Sequence, residues 1–170
     1  MISAKRILGI DPGVNVTGYG IIEIKEKGKP NLIGYGHIKT NSRKSLSERI
    51  HNIYESLKEV ISEYQPDFVA VEDLFYSENV KTAIVMGHAR GAAIIAATTH
   101  KIPVSEFSPR EVKMSVVGNG AAAKSQVQYM VRNILSIKDV IEPDDASDAL
   151  AVALCKWHRL TTEQSYRGNR

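Results

Sequence analysis

Residues 7–22 read ILGIDPGVNVTGYGII. An apolar run breaks at Asp11-Pro12-Gly13 and resumes through Thr17-Gly18-Tyr19-Gly20 into further apolar residues. Pro12 presets one backbone angle and Gly13 frees the next, so the chain turns directly after Asp11. Two readings fit: a plain tight turn between strands, or a carboxylate held out at a strand end to bind a metal ion. Working outward, apolar runs at residues 6–10, 19–24 and 32–38 are separated by turn signals at Asp-Pro-Gly and Lys-Gly-Lys-Pro. That pattern predicts an antiparallel meander of three strands.

Leu46, Ile50, Ile53, Leu57, Val60, Ile61 and Tyr64 follow at helical spacing, opened by Ser45 with Glu48 three residues later as a capping box. Pro66 ends that helix, and Phe68-Val-Ala-Val-Glu72 is apolar enough for a strand buried on both faces. A sheet–helix–sheet crossover is implied. A second helix over 79–99 carries small residues at Ala83, Gly87, Gly91 and Ala92, a stripe suited either to close packing within the fold or to a dimer contact. Lys81, His88 and Arg90 exclude a membrane helix there. Beyond it the pattern predicts a strand near 104–107, helices over 109–117 and 124–135, and a last helix from Asp144 to about Arg159. The polar residues 161–170 read as a frayed tail.

The 170 residues can bury one real core, and 43% hydrophobic with 24% charged residues is ordinary for a globular domain. MISAKRILGID reaches charge before any long apolar stretch, so neither a secretory signal nor a membrane span is expected, and the cytoplasm is the expected compartment. Cys155 is the single cysteine, which excludes an internal disulfide, and no Cys/His cluster has zinc spacing. A net charge of +3 leans only weakly toward an anionic partner.

The acids say more. Glu72 closes the buried strand with Asp73 behind it, and is either leaving the core or aimed at a site. Asp145 and Asp148 lie three apart in PDDASDALAVAL, on one face of a helix and close enough to repel. An N-cap and helix-dipole role accounts for Asp144 or Asp145. It does not account for Asp148, flanked by Ala146, Ala149, Leu150, Ala153, Leu154 and Trp157. Like charges converging on one place need a counterion. Hard divalent cations take oxygen ligands, and two such ions about 4 Å apart serve phosphoryl transfer.

GIDPG with TGYGII, VEDLF, GHARGAAIIAA, FSPREVKMSVVGNGAAAKSQVQ and DDASDALAVAL, in this order, closely resemble the RuvC family of Holliday junction resolvases over roughly residues 5–158. The resemblance implies an α/β, ribonuclease H-like fold: a mixed central sheet with antiparallel first three strands and helices on both faces. It implies a single nuclease domain over 1–160 ahead of the tail. It further implies a symmetric homodimer that resolves four-way junction DNA in recombination and repair, leaving 5′-phosphate and 3′-hydroxyl ends. Two Mg²⁺ ions per active site are implied, with Mn²⁺ a substitute, and a branch-migration complex of RuvA and RuvB as partner. Motif by motif it assigns catalysis and metal binding to Asp11, Glu72, Asp145 and Asp148. Lys113 and Lys124 become DNA contacts, and Phe75 a wedge that stacks on bases at the junction centre. In this light the glycines after Asp11 would let DNA or a neighbouring strand approach closely.

GNGAAAKS at 118–125 is one residue from a phosphate-binding Walker A loop, with Ala123 where a glycine belongs. No clear buried strand feeds that loop, and the nucleotide reading is rejected. Arg90, Arg110 and Arg132 receive no assigned role. An actin-like kinase fold needs two such domains, which 170 residues cannot supply, so two rivals remain: a shorter RuvC-like family tied to ribosomal RNA processing, and a junction-binding module with inert acids.

Overall fold

Three antiparallel strands open the computed structural model, which describes residues 4–25, 28–73 and 79–167. They are β1 (Lys5–Asp11), β2 (Val16–Ile24) and β3 (Asn31–Lys39). Next come α1 (Leu46–Tyr64), β4 (Phe68–Glu72), α2 (Val80–Thr99) and β5 (Val104–Phe107), then α3 (Pro109–Val117), α4 (Lys124–Leu135) and α5 (Asp144–Arg167). The sheet order is β3-β2-β1-β4-β5, with β4 parallel to β1 and β5 parallel to β4. The meander and the crossover expected from the sequence therefore form one mixed sheet.

Alternation along β1 and β4 divides the core in two. Leu8, Ile10, Val69 and Val71 pack with Ile53, Leu57 and Ile61 of α1 and with Ala89, Ala93 and Ala96 of α2. Ile7, Ala70 and Phe107 pack on the other face with Val112 of α3, Val127 and Val131 of α4, and Leu150 and Leu154 of α5. Helices thus cover both faces, the ribonuclease H-like arrangement. Capping boxes start α1 and α3: Ser45 and Ser108 each bond the backbone N–H of a glutamate three residues on, and each glutamate bonds back. Among the described residues no helix is long and apolar enough to cross a membrane.

Two expectations change. At Gly18 and Gly20 of β2 the close approach is made by α5, as it is at Gly9 of β1. A Cβ at Gly9 would strike the backbone of Ala149 and Ala153, one at Gly18 the carbonyl of Asp145, and one at Gly20 the side chain of Leu150. Second, α5 continues beyond Arg159 to Arg167. Along this stretch the hydroxyls of Thr161, Thr162 and Ser165 fold back to donate to carbonyls one turn earlier, which leaves the helical backbone bonds uncontested.

Candidate active site

β1 ends at Asp11 and β4 at Glu72, and the parallel pairing of Ile10 with Val71 carries both acids to one edge of the sheet. Because Leu8, Ile10, Val69 and Val71 face the α1–α2 layer, alternation turns Asp11 and Glu72 toward α5. There α5 lies seated on the glycines. Asp145 sits over Gly18, the residue paired across the strands with Asp11, and Asp148 follows one turn along. Carboxyl ends of adjacent parallel strands are where open α/β sheets place their ligands.

The electrostatics are those of crowded acids. Burial, chiefly, pushes Asp11 up to about 6, with the charges of Asp148 and Asp145 adding to it and a hydrogen bond from Glu72 opposing it. Glu72 rises to about 8 through burial, the charge of Asp11 and the proton it shares with that carboxylate. Burial also raises Asp148, against the pull of Lys124. Lys124 Nζ lies 2.8 Å from Asp148 Oδ2 and 3.4 Å from Asp144 Oδ2. Burial alone would lower the Lys124 ammonium, but these carboxylates outweigh it and hold it above its ordinary value.

A cleft of about 200 Å³ opens here, lined among others by Glu72, Lys113, Lys124 and Asp148. Size does not mark the site, since a groove of about 950 Å³ outside α1 and α2 and a hollow of about 590 Å³ between α3 and α5 are both larger. The small cleft holds the convergent charges, and chemistry decides between them. Lys113 comes from α3 and Lys124 from the first residue of α4, so both expected DNA lysines border the acids. Phe75 lies outside the described residues.

Among the described residues no group of three His, Cys, Asp or Glu side chains is arranged to hold a metal ion as it stands. Asp11 and Glu72 are turned to each other, and Asp148 to Lys124. The donor set nevertheless fits a hard divalent cation, because it is all carboxylate oxygen and its mutual repulsion is what a cation relieves.

The segments that leave the two acid-bearing strands are tied down by residues to which the sequence reading gave no role. After Asp11, the buried Thr17 hydroxyl donates to Gly13 O at 2.7 Å, and Thr40 Oγ1 donates to Val14 O. Arg49 of α1 donates through Nη2 to Val14 O at 3.2 Å and to Asn15 Oδ1, and through Nε to Thr40 Oγ1 at 2.9 Å. After Glu72, Asp73 N donates to Phe107 O at 2.8 Å, while Arg90 of α2 pairs with Asp73 Oδ1 at 3.0 Å and with Glu106. A cation inside a helix of small residues was the available signal for Arg90. Nothing comparable marked Arg49.

The fold and this acidic strand-end site point to the class of ribonuclease H-like, metal-dependent nucleases. More narrowly, the chain belongs to the RuvC family: residues 7–156 match the family model for crossover junction endodeoxyribonuclease RuvC. It is 49% identical over 152 residues to the crossover junction endodeoxyribonuclease RuvC of Alkaliphilus metalliredigens, covering 89% of this chain and 92% of that protein. The enzyme of the same name from Geobacter sulfurreducens is 49% identical over 150 residues, covering 88% of this chain and 90% of that protein. Thermus thermophilus RuvC, solved in complex with Holliday junction substrate, superposes with a TM-score of 0.88 at 34% identity, covering 94% of this chain and 96% of that one. The yeast mitochondrial resolvase Ydc2 shares the fold, with a TM-score of 0.70 at 13% identity over 96% of this chain and 84% of that one.

Proposed function

We propose that this chain is a structure-specific endodeoxyribonuclease that resolves four-way DNA junctions by paired, symmetric nicks, leaving 5′-phosphate and 3′-hydroxyl ends. The observation that carries the reading is the meeting of Asp11, Glu72 and Asp148 at one sheet edge, in a chain of the RuvC family. Asp11, Glu72, Asp145 and Asp148 would hold Mg²⁺, two ions per site, and Mn²⁺ suits the same oxygen donors. Such ions, when bound, activate water and stabilise the leaving oxygen in phosphodiester hydrolysis.

The chain's own groups bind and orient the DNA. Lys113 and Lys124 face the cleft from two helices and offer cations to the DNA backbone near the cut. Lys124 also opens α4, whose first N–H groups favour phosphate. Lys124 keeps its proton, so it supplies a charge and not a base. Phe75 is the wedge proposed for the junction centre.

Two opposed strands of a two-fold symmetric junction require two sites related by the same symmetry, which favours a homodimer. The groove outside α1 and α2 supports it, because Ile84 and Ile95 are 58% and 56% exposed on an apolar face. A branch-migration complex of RuvA and RuvB is the proposed partner, and the cytoplasm the proposed compartment.

The test incubates the protein with labelled four-way junction, linear duplex and structured RNA in Mg²⁺, beside Asp148→Asn. Symmetric, religatable nicks in the junction alone, absent from a variant that still binds it, are expected. Cleavage of RNA without junction preference would move the assignment to the ribosomal RNA-processing relatives. Binding without cutting would leave a junction-binding module with inert acids.

A further inference from the structure

The α1–α2 layer lies on the opposite side of the sheet from the acids, yet one arginine from each helix reaches a segment that leaves an acid-bearing strand. Arg90 ties Asp73, the residue after Glu72, to Glu106 on the neighbouring β5. The backbone already joins the same places, with Asp73 N bonded to Phe107 O and Glu72 opposite Phe107 in the sheet. Arg90 Nε is buried without a hydrogen-bond partner among the described residues.

Arg49 acts alike on the other strand. Its guanidinium spans Val14, Asn15 and Thr40, closing the turn that begins one residue beyond Asp11 onto the end of β3. The two arginines thus fix, from behind, the two places where β1 and β4 release the chain.

We propose that Arg49 and Arg90 are positioning residues for the phosphodiester cleavage, Arg49 setting the Asp11 strand end and Arg90 the Glu72 strand end. Neither touches the reacting atoms. Each acts through the orientation of a carboxylate that must meet a cation, and this rests on the assignment of Asp11 and Glu72 as cation ligands. Groups that orient metal ligands typically matter by 10–100-fold in affinity or activity. Lysine keeps the charge but cannot reproduce the fork that reaches several acceptors at once.

The experiment compares Arg90→Gln, Arg90→Lys, Arg49→Gln, Arg49→Lys and Asp73→Asn with the parent chain. It measures Mn²⁺ affinity by calorimetry on the chelator-stripped protein, junction affinity, and the single-turnover cleavage rate. Expected is a loss of about tenfold or more in Mn²⁺ affinity and in cleavage rate for both glutamine variants. Junction affinity should stay within about twofold, and each lysine variant should recover part of the loss. Asp73→Asn breaks the Arg90 contact from its other end and should reproduce the Arg90→Gln result, so the test survives a poorly folded arginine variant. In the background of Glu72→Gln, Arg90→Gln should add little further loss of Mn²⁺ affinity. Folded glutamine variants, or Asp73→Asn, that bind Mn²⁺ and cut like the parent would overturn the proposal. An equal loss in junction affinity and Mn²⁺ affinity would also overturn it, as a general structural effect. Cleavage at the parental rate by Glu72→Gln or Asp11→Asn would instead sink the ligand assignment underneath.

Discussion

Asp11 and Glu72 are held protonated well above the range where free carboxyls ionise, and this has a measurable cost. An unfolded chain ionises these groups near 3.8 and 4.5, whereas the folded pair retains its proton until about 6 to 8. Between those limits the folded state binds more protons than the unfolded one, so stability falls as pH rises. The two steps belong to the pair, because the hydrogen bond from Glu72 lowers Asp11 while the charge of Asp11 raises Glu72. The melting temperature of chelator-treated protein is therefore expected to drop between pH 5 and pH 8 relative to Glu72→Gln, which lacks the ionising partner. Parallel curves for the two proteins would show that the pair carries no such penalty. At pH 8, Mg²⁺ should raise the melting temperature of the parent more than that of the variant, because ligation stabilises only the folded state. At this scale the sequence was most informative where an acid sat at odds with its neighbours: Asp148 in an alanine-rich helix, Asp11 at a forced turn. The pairing of Lys124 with Asp148 was not legible, since it joins α4 to α5 through the tertiary fold.

Elements were legible in proportion to the local rules that fix them. The capping boxes at Ser45 and Ser108 and the αL glycine at Gly118, with φ of 81°, mark their helix ends within a few residues of sequence. The reach of α5 was missed because threonine and serine hydroxyls can either cap a helix or bond within it, and only the following turns decide. The glycines that follow Asp11 mark a close approach, but the sequence does not say what approaches. Since it is the backbone of α5, Gly18→Ala must push away the turn that carries Asp145. The expected cost is about 1–3 kcal/mol of stability, read from urea unfolding, with loss of cleavage beyond what instability explains. Gly28→Ala, where an added Cβ meets only ordinary contacts, is the control and should change neither. A silent Gly18→Ala would mean that α5 can shift without harm to the site.

For the whole molecule, the acids and the apolar groove occupy opposite faces of the sheet, so assembly and chemistry can be separated by mutation. Gly91 lies in the middle of α2, in the groove, and a Cβ built there meets nothing within 4 Å. Glycine in a helix interior is about 1 kcal/mol worse than alanine, and arginine ranks close to alanine. Gly91→Arg should therefore leave the single chain at least as stable while placing a charged side chain across the surface proposed to meet its partner. Light scattering is expected to report a single 18.8 kDa chain where the parent gives the proposed dimer. On junction DNA at low concentration, the variant should make isolated nicks, and paired nicks should recover as protein concentration rises. The proposed second subunit would remove exposed Ile84 and Ile95 from water, so Ile95→Asp should give the same result by a different route. If both variants remain dimeric, the second subunit meets another face, and the groove between α1 and α2 is not the interface. If both are monomeric yet still cut the two strands together, coordination of the nicks comes from the symmetry of the DNA and not from the protein.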